Sequence, residues 1–203
     1  MLKIEPIESA EMPLQLLAES FQAFYERSPW NEYLRCPNCS PQGDFGAAGR
    51  YDDPGLTHCP VCSTQLEQYW SDERVKEYFE MAVNKPYFGG VFGKNSEDEV
   101  VAWVWGYAVS SVDELSELPE GDNAAYVDVI GVLPDYRDNT VQVFVEGHAL
   151  AQQIYGYRYF VTRTHRDAEY VQKAMSMFGY KFLCESVDPE KEFWIYDPDG
   201  ITS

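Results

Sequence analysis

The sequence predicts an α/β protein built on one mixed β-sheet, and three observations support this fold class. The chain has 203 residues, of which 45% are apolar, which is enough to form a well-packed core. Segments with the period of an amphipathic helix alternate with short apolar runs typical of strands. The order is strand, helix, loop-rich insert, helix, three strands, helix, strand, helix and two strands, which suits a mixed sheet with helices on both faces.

The individual elements follow from periodicity and from the residues that end them. Helices are predicted where apolar side chains recur at spacings of three and four, over 11–27, 71–84, 140–155 and 167–178. Strands are predicted over the alternating or continuously apolar runs 2–7, 87–92, 100–110, 124–133, 158–164, 180–185 and 192–196. Pro134 ends the most apolar strand, and Gly179 follows the last helix, where a left-handed residue is favoured.

A segment rich in Pro, Gly, Asn and Asp separates the first two helices and contains four of the five cysteines. They form two Cys-x-x-Cys pairs that are separated by nineteen residues. Each pair is expected to form a tight turn that directs two thiolates at one point, so two pairs complete a tetrahedral site. The sequence therefore predicts a ribbon inserted over 30–66 within a single domain over 1–203, with one structural Zn²⁺ ion bound by Cys36, Cys39, Cys59 and Cys62.

The same four cysteines are compatible with other chemistry. Two disulfides, a redox-active pair or an iron–sulfur cluster would use the same residues. The chain begins without a signal-peptide pattern, and no apolar run reaches the roughly 18 residues that span a bilayer. A cytoplasmic location is therefore expected, and the reduced state of cytosolic thiols disfavours the disulfides.

The charge of the chain indicates which partners suit it. A formal net charge of −19 repels nucleic acid and anionic membranes, so neither is expected as a partner. It suits a cationic acceptor such as an amine, a polyamine or a basic peptide, although solubility alone also explains it. The segment 136–183 differs, with six basic and four acidic residues, and could receive an anionic ligand.

Residues 124–182 carry a recognisable arrangement of elements and motifs. An apolar strand leads into the motif V-x-P-x-Y-R at 132–137 and then a helix, followed by a strand and a helix that ends at Gly179-Tyr180. This arrangement resembles the core of the GNAT superfamily of N-acetyltransferases, in which the closing pair is usually Gly-Phe. The resemblance implies a GNAT-like fold for nearly the whole chain, with the cysteine insert in a region that often shapes the acceptor site.

The resemblance also implies acetyl-CoA as co-substrate. In the family, the strand that matches 124–133 splays from its neighbour and its free backbone groups bind the pantetheine amides, which would place Ile130 and Val132 there. The following turn holds the pyrophosphate with backbone N–H groups and the helix dipole. At Thr140 and Gln142 the family has glycine or another small residue. The residues that match this turn are Arg137, Asp138, Asn139, Thr140, Val141 and Gln142.

Asp128 is the candidate general base. It lies inside the apolar strand, and a period of two places it on the same face as Tyr126, Ile130 and Val132. A carboxylate in this setting can accept the proton of an ammonium group, directly or through water. A carboxylate that pairs with an arginine or faces solvent would have a structural role instead.

Tyr170 is the candidate general acid. Many members of the family have a tyrosine on this helix, four residues before the closing glycine, and here that position is Met175. Tyr170 lies on the same helix more than one turn earlier. An ordinary half-buried aromatic residue is the alternative interpretation.

Two functions are consistent with these features. The first is an acetyl-CoA-dependent N-acetyltransferase that transfers the acetyl group directly to a primary amine of a small molecule or a protein. The second is a catalytically inactive GNAT-like protein whose zinc ribbon is a protein-interaction module, because a fold does not fix a function. A homodimer is the possible assembly. Nucleic-acid binding by the ribbon is disfavoured, since 28–64 contains only Arg35 and Arg50 as basic residues.

Overall fold

A computed structural model describes residues 1–7, 13–40, 45, 48–115, 118 and 123–197. A 3₁₀ segment, Pro134–Asn139, leads into the third α-helix. The helices and strands in chain order are β1 (Lys3–Pro6), α1 (Leu14–Tyr25), β2 (Leu34–Arg35), β3 (Arg50–Tyr51), β4 (Glu67–Gln68), α2 (Asp72–Val83), β5 (Gly89–Lys94), β6 (Val100–Ala108), β7 (Ala124–Val132), α3 (Thr140–Tyr155), β8 (Tyr159–His165), α4 (Glu169–Met177), β9 (Tyr180–Glu185) and β10 (Lys191–Tyr196).

Each predicted helix and strand forms, with ends that differ by up to three residues. The predicted first helix begins at residues 11 and 12, which lie outside the described residues. The short strands β2, β3 and β4 add regular structure to the cysteine-containing segment, which the sequence predicts only as a ribbon. In the described parts of the chain, no helix is long and apolar enough to cross a membrane.

The chain divides into two compact units. The first consists of Met1–Met12 together with Val83–Ser203, and the second of Pro13–Ala82. The second unit is larger than the predicted ribbon, because α1 and most of α2 belong to it. The assignment of a single domain over 1–203 with an insertion over 30–66 stays a prediction.

The first unit contains a seven-stranded sheet with the order β1-β5-β6-β7-β8-β10-β9. Neighbouring strands are antiparallel except β7 and β8, which are parallel. A parallel pair needs a long crossover, and the 3₁₀ segment with α3 supplies it. The mixed sheet that the sequence predicts is therefore present.

The two faces of this sheet carry separate apolar clusters. Val127 belongs to the cluster that includes Val143 and Phe144 of α3. Tyr126, the preceding residue, belongs to a cluster with Val161 and other side chains of the opposite face. Because successive side chains of a strand point to opposite faces, the strands β6 to β8 are covered on both sides.

The second unit contains α1, α2 and a three-stranded sheet with the order β3-β2-β4. Its apolar interior is mainly aromatic. The Trp70 ring has its centroid 4.9 Å from that of Phe21 and 5.1 Å from that of Tyr69. The buried Glu32 carboxylate accepts hydrogen bonds from Trp70 Nε1 over 2.8 Å and from Arg50 over 3.0 Å, so its charge is compensated.

Candidate functional site

Strands β7 and β8 separate before either strand ends. Their ladder runs from the pair of Ala124 with Tyr159 to the pair of Val127 with Thr162. At this last pair the Thr162 hydroxyl donates to the Val127 carbonyl over 3.0 Å. Both strands then continue, β7 along β6 and β8 along β10. Residues 129–132 therefore have strand pairing on the β6 side only, and this divergence is called the split below.

Asp128 lies at the start of the split and is a β-bulge residue. In the ladder between β6 and β7, Trp105 pairs with Val129 and Gly106 pairs with Val127. Asp128 is therefore the extra residue on the β7 side. A bulge redirects a side chain and locally increases the twist, so it places this carboxylate where the two strands part.

The bulge also changes which residues share a face with Asp128. Tyr126 packs in the cluster opposite α3, whereas Ile130 and Val132 pack against the cluster on the α3 face. The prediction that Asp128 lies on one face with Tyr126, Ile130 and Val132 is therefore wrong. It assumed an uninterrupted period of two, and the extra residue in the strand reverses the alternation.

The Asp128 carboxylate accepts hydrogen bonds from two aromatic side chains of β6. Trp105 Nε1 lies 3.3 Å from Asp128 Oδ2, and the Tyr107 hydroxyl is hydrogen-bonded to the same carboxylate. Burial, with a further contribution from the charge of Asp128, raises the pKa of Tyr107 far above its ordinary value. Tyr107 therefore stays protonated and, with Trp105, keeps the carboxylate oriented.

A second carboxylate lies on the same side of the sheet. Glu114 pairs with Arg163 of β8 at 3.2 Å. Its other oxygen accepts hydrogen bonds of 2.7 Å from the Ser186 hydroxyl and the Val187 amide. This carboxylate is satisfied by structural partners, and we assign it no chemical role.

Two buried polar groups border the split and have no hydrogen-bond partner among the described residues. The Thr164 hydroxyl of β8 is one of them, in a side chain that is 5% exposed. Thr162 and Thr164 share a face of β8, and the ladder with β7 ends at Thr162, so Thr164 lies on the part of β8 that β7 no longer pairs with. The other is Trp103 Nε1, whose ring lies so close to Gly131 that a Cβ there would come within 2.2 Å.

Buried polar groups in folded proteins are normally satisfied. Thr164 and Trp103 therefore fit a site that receives a molecule with polar atoms. Neither residue is among the sequence-predicted site residues. The alternation of Trp103, Trp105 and Tyr107 in the predicted strand 100–110 does place three aromatic rings on one face, most often a core arrangement and alternatively the lining of an acceptor pocket. No local pattern identifies Thr164, whose position follows from the strand register.

The segment that the resemblance assigns to the pyrophosphate is helical. Pro134–Asn139 is a 3₁₀ helix that continues directly into α3. The Thr140 hydroxyl donates to the Arg137 carbonyl over 2.7 Å, and the Thr140 amide bonds to the same oxygen. The Gln142 side chain bonds instead to Leu2, just before β1, where it donates to the Leu2 carbonyl over 2.9 Å. The hydrogen-bonding groups of Thr140 and the side-chain amide of Gln142 are therefore already used.

The remaining residues of this segment are more accessible. Arg137 and Asp138 are exposed, and Val141 is 53% exposed. The Asn139 side chain donates to the Tyr136 carbonyl over 3.2 Å. Arg137 is the group of this segment with the charge that suits a phosphate. The assignment of 137–142 to CoA binding stays a prediction.

Tyr170 lies in the first turn of α4 and is 59% exposed. Met175, at the position where the resemblance leads to a tyrosine, is buried in the core of the first unit. The aromatic residues that contact Asp128 are Trp105 and Tyr107 of β6, neither of which is a predicted catalytic residue. The role of Tyr170 as an acid stays a prediction.

The four cysteines of the second unit form one cluster. Their Sγ atoms all lie within 4.8 Å of one another. Cys36 and Cys62 are 3.4 Å apart, and Cys39 lies 3.8 Å from Cys59. All four are free thiols, and the cluster could hold one metal ion.

Two hydroxyl groups bond to this cluster. Tyr51 Oη lies 3.0 Å from Cys59 Sγ and lowers the pKa of Cys59. Thr64 Oγ1 lies 3.2 Å from Cys62 Sγ and lowers the pKa of Cys62 to about 5. The hydrogen bond with Cys62 raises the pKa of Cys39 to about 12. Several thiolates this close together repel one another unless a cation is bound between them.

Comparison with known proteins gives no match at the level of sequence: no family model matches the chain, and no curated protein is significantly similar. Solved structures do match. A mutant of the spermidine N-acetyltransferase SpeG from Vibrio cholerae has a TM-score of 0.57 at 8% identity, covering 100% of this chain and 96% of its own. The protein PH1933 from Pyrococcus horikoshii has a TM-score of 0.60 at 12% identity, covering 97% and 98%.

An acetyltransferase from Thermus thermophilus has a TM-score of 0.50 at 11% identity and covers 64% of this chain and 77% of its own. Identities this low show the fold alone. The mixed α/β architecture of GNAT acetyltransferases, predicted from the sequence, is confirmed.

Proposed function

We propose that this protein is an acetyl-CoA-dependent N-acetyltransferase that acts on a primary amine by direct transfer, and that it contains one structural zinc ion. One observation carries the proposal: β7 and β8 part after Val127, and a bulge places the Asp128 carboxylate where they part. The shared fold with acetyltransferase structures supports it.

In this proposal the pantetheine arm of acetyl-CoA occupies the split. Its amides bond to the backbone of β7 near Ile130 and Val132, which lacks strand pairing on that side. The Thr164 hydroxyl gains the partner that the described residues do not offer it. The residues of β7 and β8 therefore fit the pantetheine arm. The phosphates of acetyl-CoA are proposed to bind to Arg137 and the residues that follow it up to Gln142.

The chemistry follows from the position of Asp128. The carboxylate takes a proton from the ammonium group of the acceptor, directly or through a water molecule. The neutral amine then attacks the thioester carbon, the C–N bond forms and the C–S bond breaks. The CoA thiolate leaves and takes up a proton, for which Tyr170 is the proposed donor, while the attacking nitrogen loses its second proton to water and Tyr170 is reprotonated from water. Holding the amine and the thioester close together in the correct orientation supplies much of the rate enhancement.

The acceptor is proposed to be a cationic primary amine, on a small molecule or a protein. The net charge of −19 raises the local concentration of cations at the surface. A protein of the same fold has spermidine N-acetyltransferase in its name, which is consistent with an amine acceptor.

Zinc is the proposed metal because of the donor set and its dimensions. A Zn–S distance of about 2.3 Å corresponds to about 3.8 Å between sulfurs of a regular tetrahedron. The Sγ–Sγ distances of the cluster include 3.4, 3.5 and 3.8 Å, and all lie within 4.8 Å. Four cysteine ligands leave no open position, so the site would be structural. The reducing cytoplasm, which we propose as the location, keeps such thiols available.

One observation favours an alternative function. The Thr140 hydroxyl and amide both bond to the Arg137 carbonyl, in a segment where acetyltransferases of this fold are expected to present free amides. The alternative is a GNAT-like protein without catalysis whose ribbon binds another protein. Val61, in the second Cys-x-x-Cys pair, is 80% exposed and would be available for such contacts.

The release of free CoA thiol from acetyl-CoA decides between the two functions. The purified zinc-containing protein is assayed with a simple alkylamine, spermidine and a lysine-containing peptide. We expect thiol release that depends on the acceptor, with acetylated amine as the product by mass spectrometry. Thiol release at the buffer rate with every acceptor would favour the non-catalytic alternative.

A further inference from the structure

A cavity of about 140 Å³ lies in the first unit. It is formed by the C-terminal half of α3 and the adjoining parts of β5, β6 and β7. Its lining comes from Gly90, Val104, Ala125, Ala151, Tyr155 and Tyr157, among others. No lining residue falls within 128–142, although Trp105, Tyr107 and Val127 line it, so the cavity adjoins the strands that position Asp128.

The lining of this cavity carries no formal charge. It includes no Asp, Glu, Lys or Arg among the described residues that form it. His148 is the titratable base of the lining, and burial lowers the pKa of His148 to about 4. Its Nε2 lies 2.8 Å from the Tyr180 hydroxyl, and its Nδ1 lies 2.6 Å from the Phe144 carbonyl. An ionic ligand would lose its hydration here without compensation, so a neutral ligand is favoured.

Tyr157 gives the cavity one polar group with unused capacity. This residue is 6% exposed, and its hydroxyl has no hydrogen-bond partner among the described residues. The Tyr155 hydroxyl, in contrast, donates to the Phe88 carbonyl over 2.8 Å. A buried hydroxyl without a partner costs about 1–3 kcal/mol. A polar atom of a bound molecule that reaches Tyr157 would remove that cost.

The cavity is accessible from solvent. Tyr87 and Ile154 contribute to its lining and are 66% and 55% exposed. The rings of Tyr87, Tyr155 and Tyr157 lie together, with centroids 5.8–6.5 Å apart. Their angles of 49–85° present both edges and faces, an arrangement that suits contact with a flat ring.

We propose that this cavity is a binding site for a neutral small molecule with about one aromatic ring and one hydroxyl group, which bonds to Tyr157. The volume sets the size, because an apolar cavity of about 150 Å³ accommodates benzene. The uncharged lining sets the neutrality, and the Tyr157 hydroxyl sets the single polar contact. The site goes beyond acetyl transfer and does not depend on it.

Phenol and toluene form a suitable pair of probes, since they share a shape and differ in one hydroxyl group. Their dissociation constants for the full chain are measured by calorimetry and by ligand-observed NMR. We expect both to bind, and Tyr157→Phe to weaken phenol relative to toluene by about three- to tenfold, the value of one hydrogen bond. Tyr87→Phe, a matched change at the exposed rim, should leave the ratio of the two constants unchanged.

Ala151→Leu places extra volume in the cavity from α3 and should abolish binding of both probes. Three results would overturn the proposal. The first two are that the unmodified protein binds neither probe saturably, and that the Ala151→Leu variant binds both probes as the unmodified protein does. The third is a ratio of the phenol and toluene dissociation constants that Tyr157→Phe leaves unchanged. If Tyr157→Phe fails to fold, binding of the unmodified and Ala151→Leu proteins still decides the matter. Loss of acetyl transfer alone would not bear on it.

Discussion

The indole Nε1 of Trp105 lies 3.3 Å from Oδ2 of Asp128, across two neighbouring strands at the point where β7 leaves β8. Together with the Tyr107 hydroxyl, this contact holds a carboxylate at the parallel junction of β7 and β8. A carboxylate that is oriented at an opening between strands is in a position to accept a proton from a bound amine.

Asp128→Asn is expected to lower turnover. The amide keeps the shape of the side chain but cannot take the ammonium proton, and general base catalysis typically contributes about 10²–10⁴-fold. We expect kcat to fall by at least about 100-fold, with a smaller change in the affinity for acetyl-CoA. Steady-state thiol release across pH 6–9 measures both.

Asp98→Asn is the matched control for this substitution. Asp98 is exposed in the turn between β5 and β6, and asparagine tolerates its positive φ of 64°. The Asp98→Asn protein should have the same turnover as the unmodified protein. Equal turnover of the Asp128→Asn and Asp98→Asn proteins at every pH would remove Asp128 from the mechanism.

Thr164→Val is expected to weaken the binding of acetyl-CoA without destabilising the free protein. Valine has the same shape, and the hydroxyl that it replaces is buried without a partner among the described residues. Removing an unsatisfied group is neutral or stabilising, whereas a lost hydrogen bond to the ligand lowers affinity by about three- to tenfold. Calorimetric titration and thermal unfolding measure the two quantities.

Thr162→Val provides the contrast. Its hydroxyl bonds to the Val127 carbonyl at the last pair of the ladder, so its removal should cost about 1 kcal/mol of folding free energy. If Thr164→Val destabilises the free protein as much as Thr162→Val and leaves acetyl-CoA affinity unchanged, the Thr164 hydroxyl does not face the ligand.

Removal of the metal is expected to unfold the segment that contains the cysteines. The purified protein should contain one zinc ion per chain, and a chelator should release it with loss of amide protection around β2, β3 and β4. Cys59→Ser should reduce the zinc content, whereas Cys184→Ser, outside the cluster, should not. Elemental analysis and hydrogen exchange measure these effects; a fully folded, metal-free protein would rule out the structural role.

Stability is expected to fall between pH 6.5 and pH 4 because of His148. Burial lowers the pKa of His148 from 6.5 to about 4, so the unfolded chain binds a proton in this range that the folded protein does not. The contribution is fully present above pH 6.5 and is lost as the pH falls, by about 3 kcal/mol at most. Urea unfolding of the unmodified protein and His148→Gln should show this extra pH dependence only in the former.

The elements that depend on local pattern could be predicted from the sequence. The helix over 140–155 has the predicted ends in the structure, because its apolar spacing and the glycine at 156 both act locally. The two Cys-x-x-Cys pairs also predict the cluster, since short spacing leaves little freedom in how each pair folds.

The site around Asp128 could be predicted only in part. The apolar strand identified the carboxylate, but the bulge that separates it from Ile130 depends on the register with β6, which no local pattern encodes. The donors Trp105 and Tyr107 and the hydroxyl of Thr164 come from neighbouring strands for the same reason. Long-range pairing decides them, and the single sequence carries no signal of it.

Titration with acetyl-CoA, followed by thermal unfolding, tests the central claim most directly. If the split between β7 and β8 binds the ligand, acetyl-CoA at 100 times its dissociation constant should stabilise the protein by about 2.7 kcal/mol. For a chain of this size that corresponds to a rise in melting temperature of roughly 5–10 °C. An unchanged melting temperature at millimolar acetyl-CoA would contradict the account.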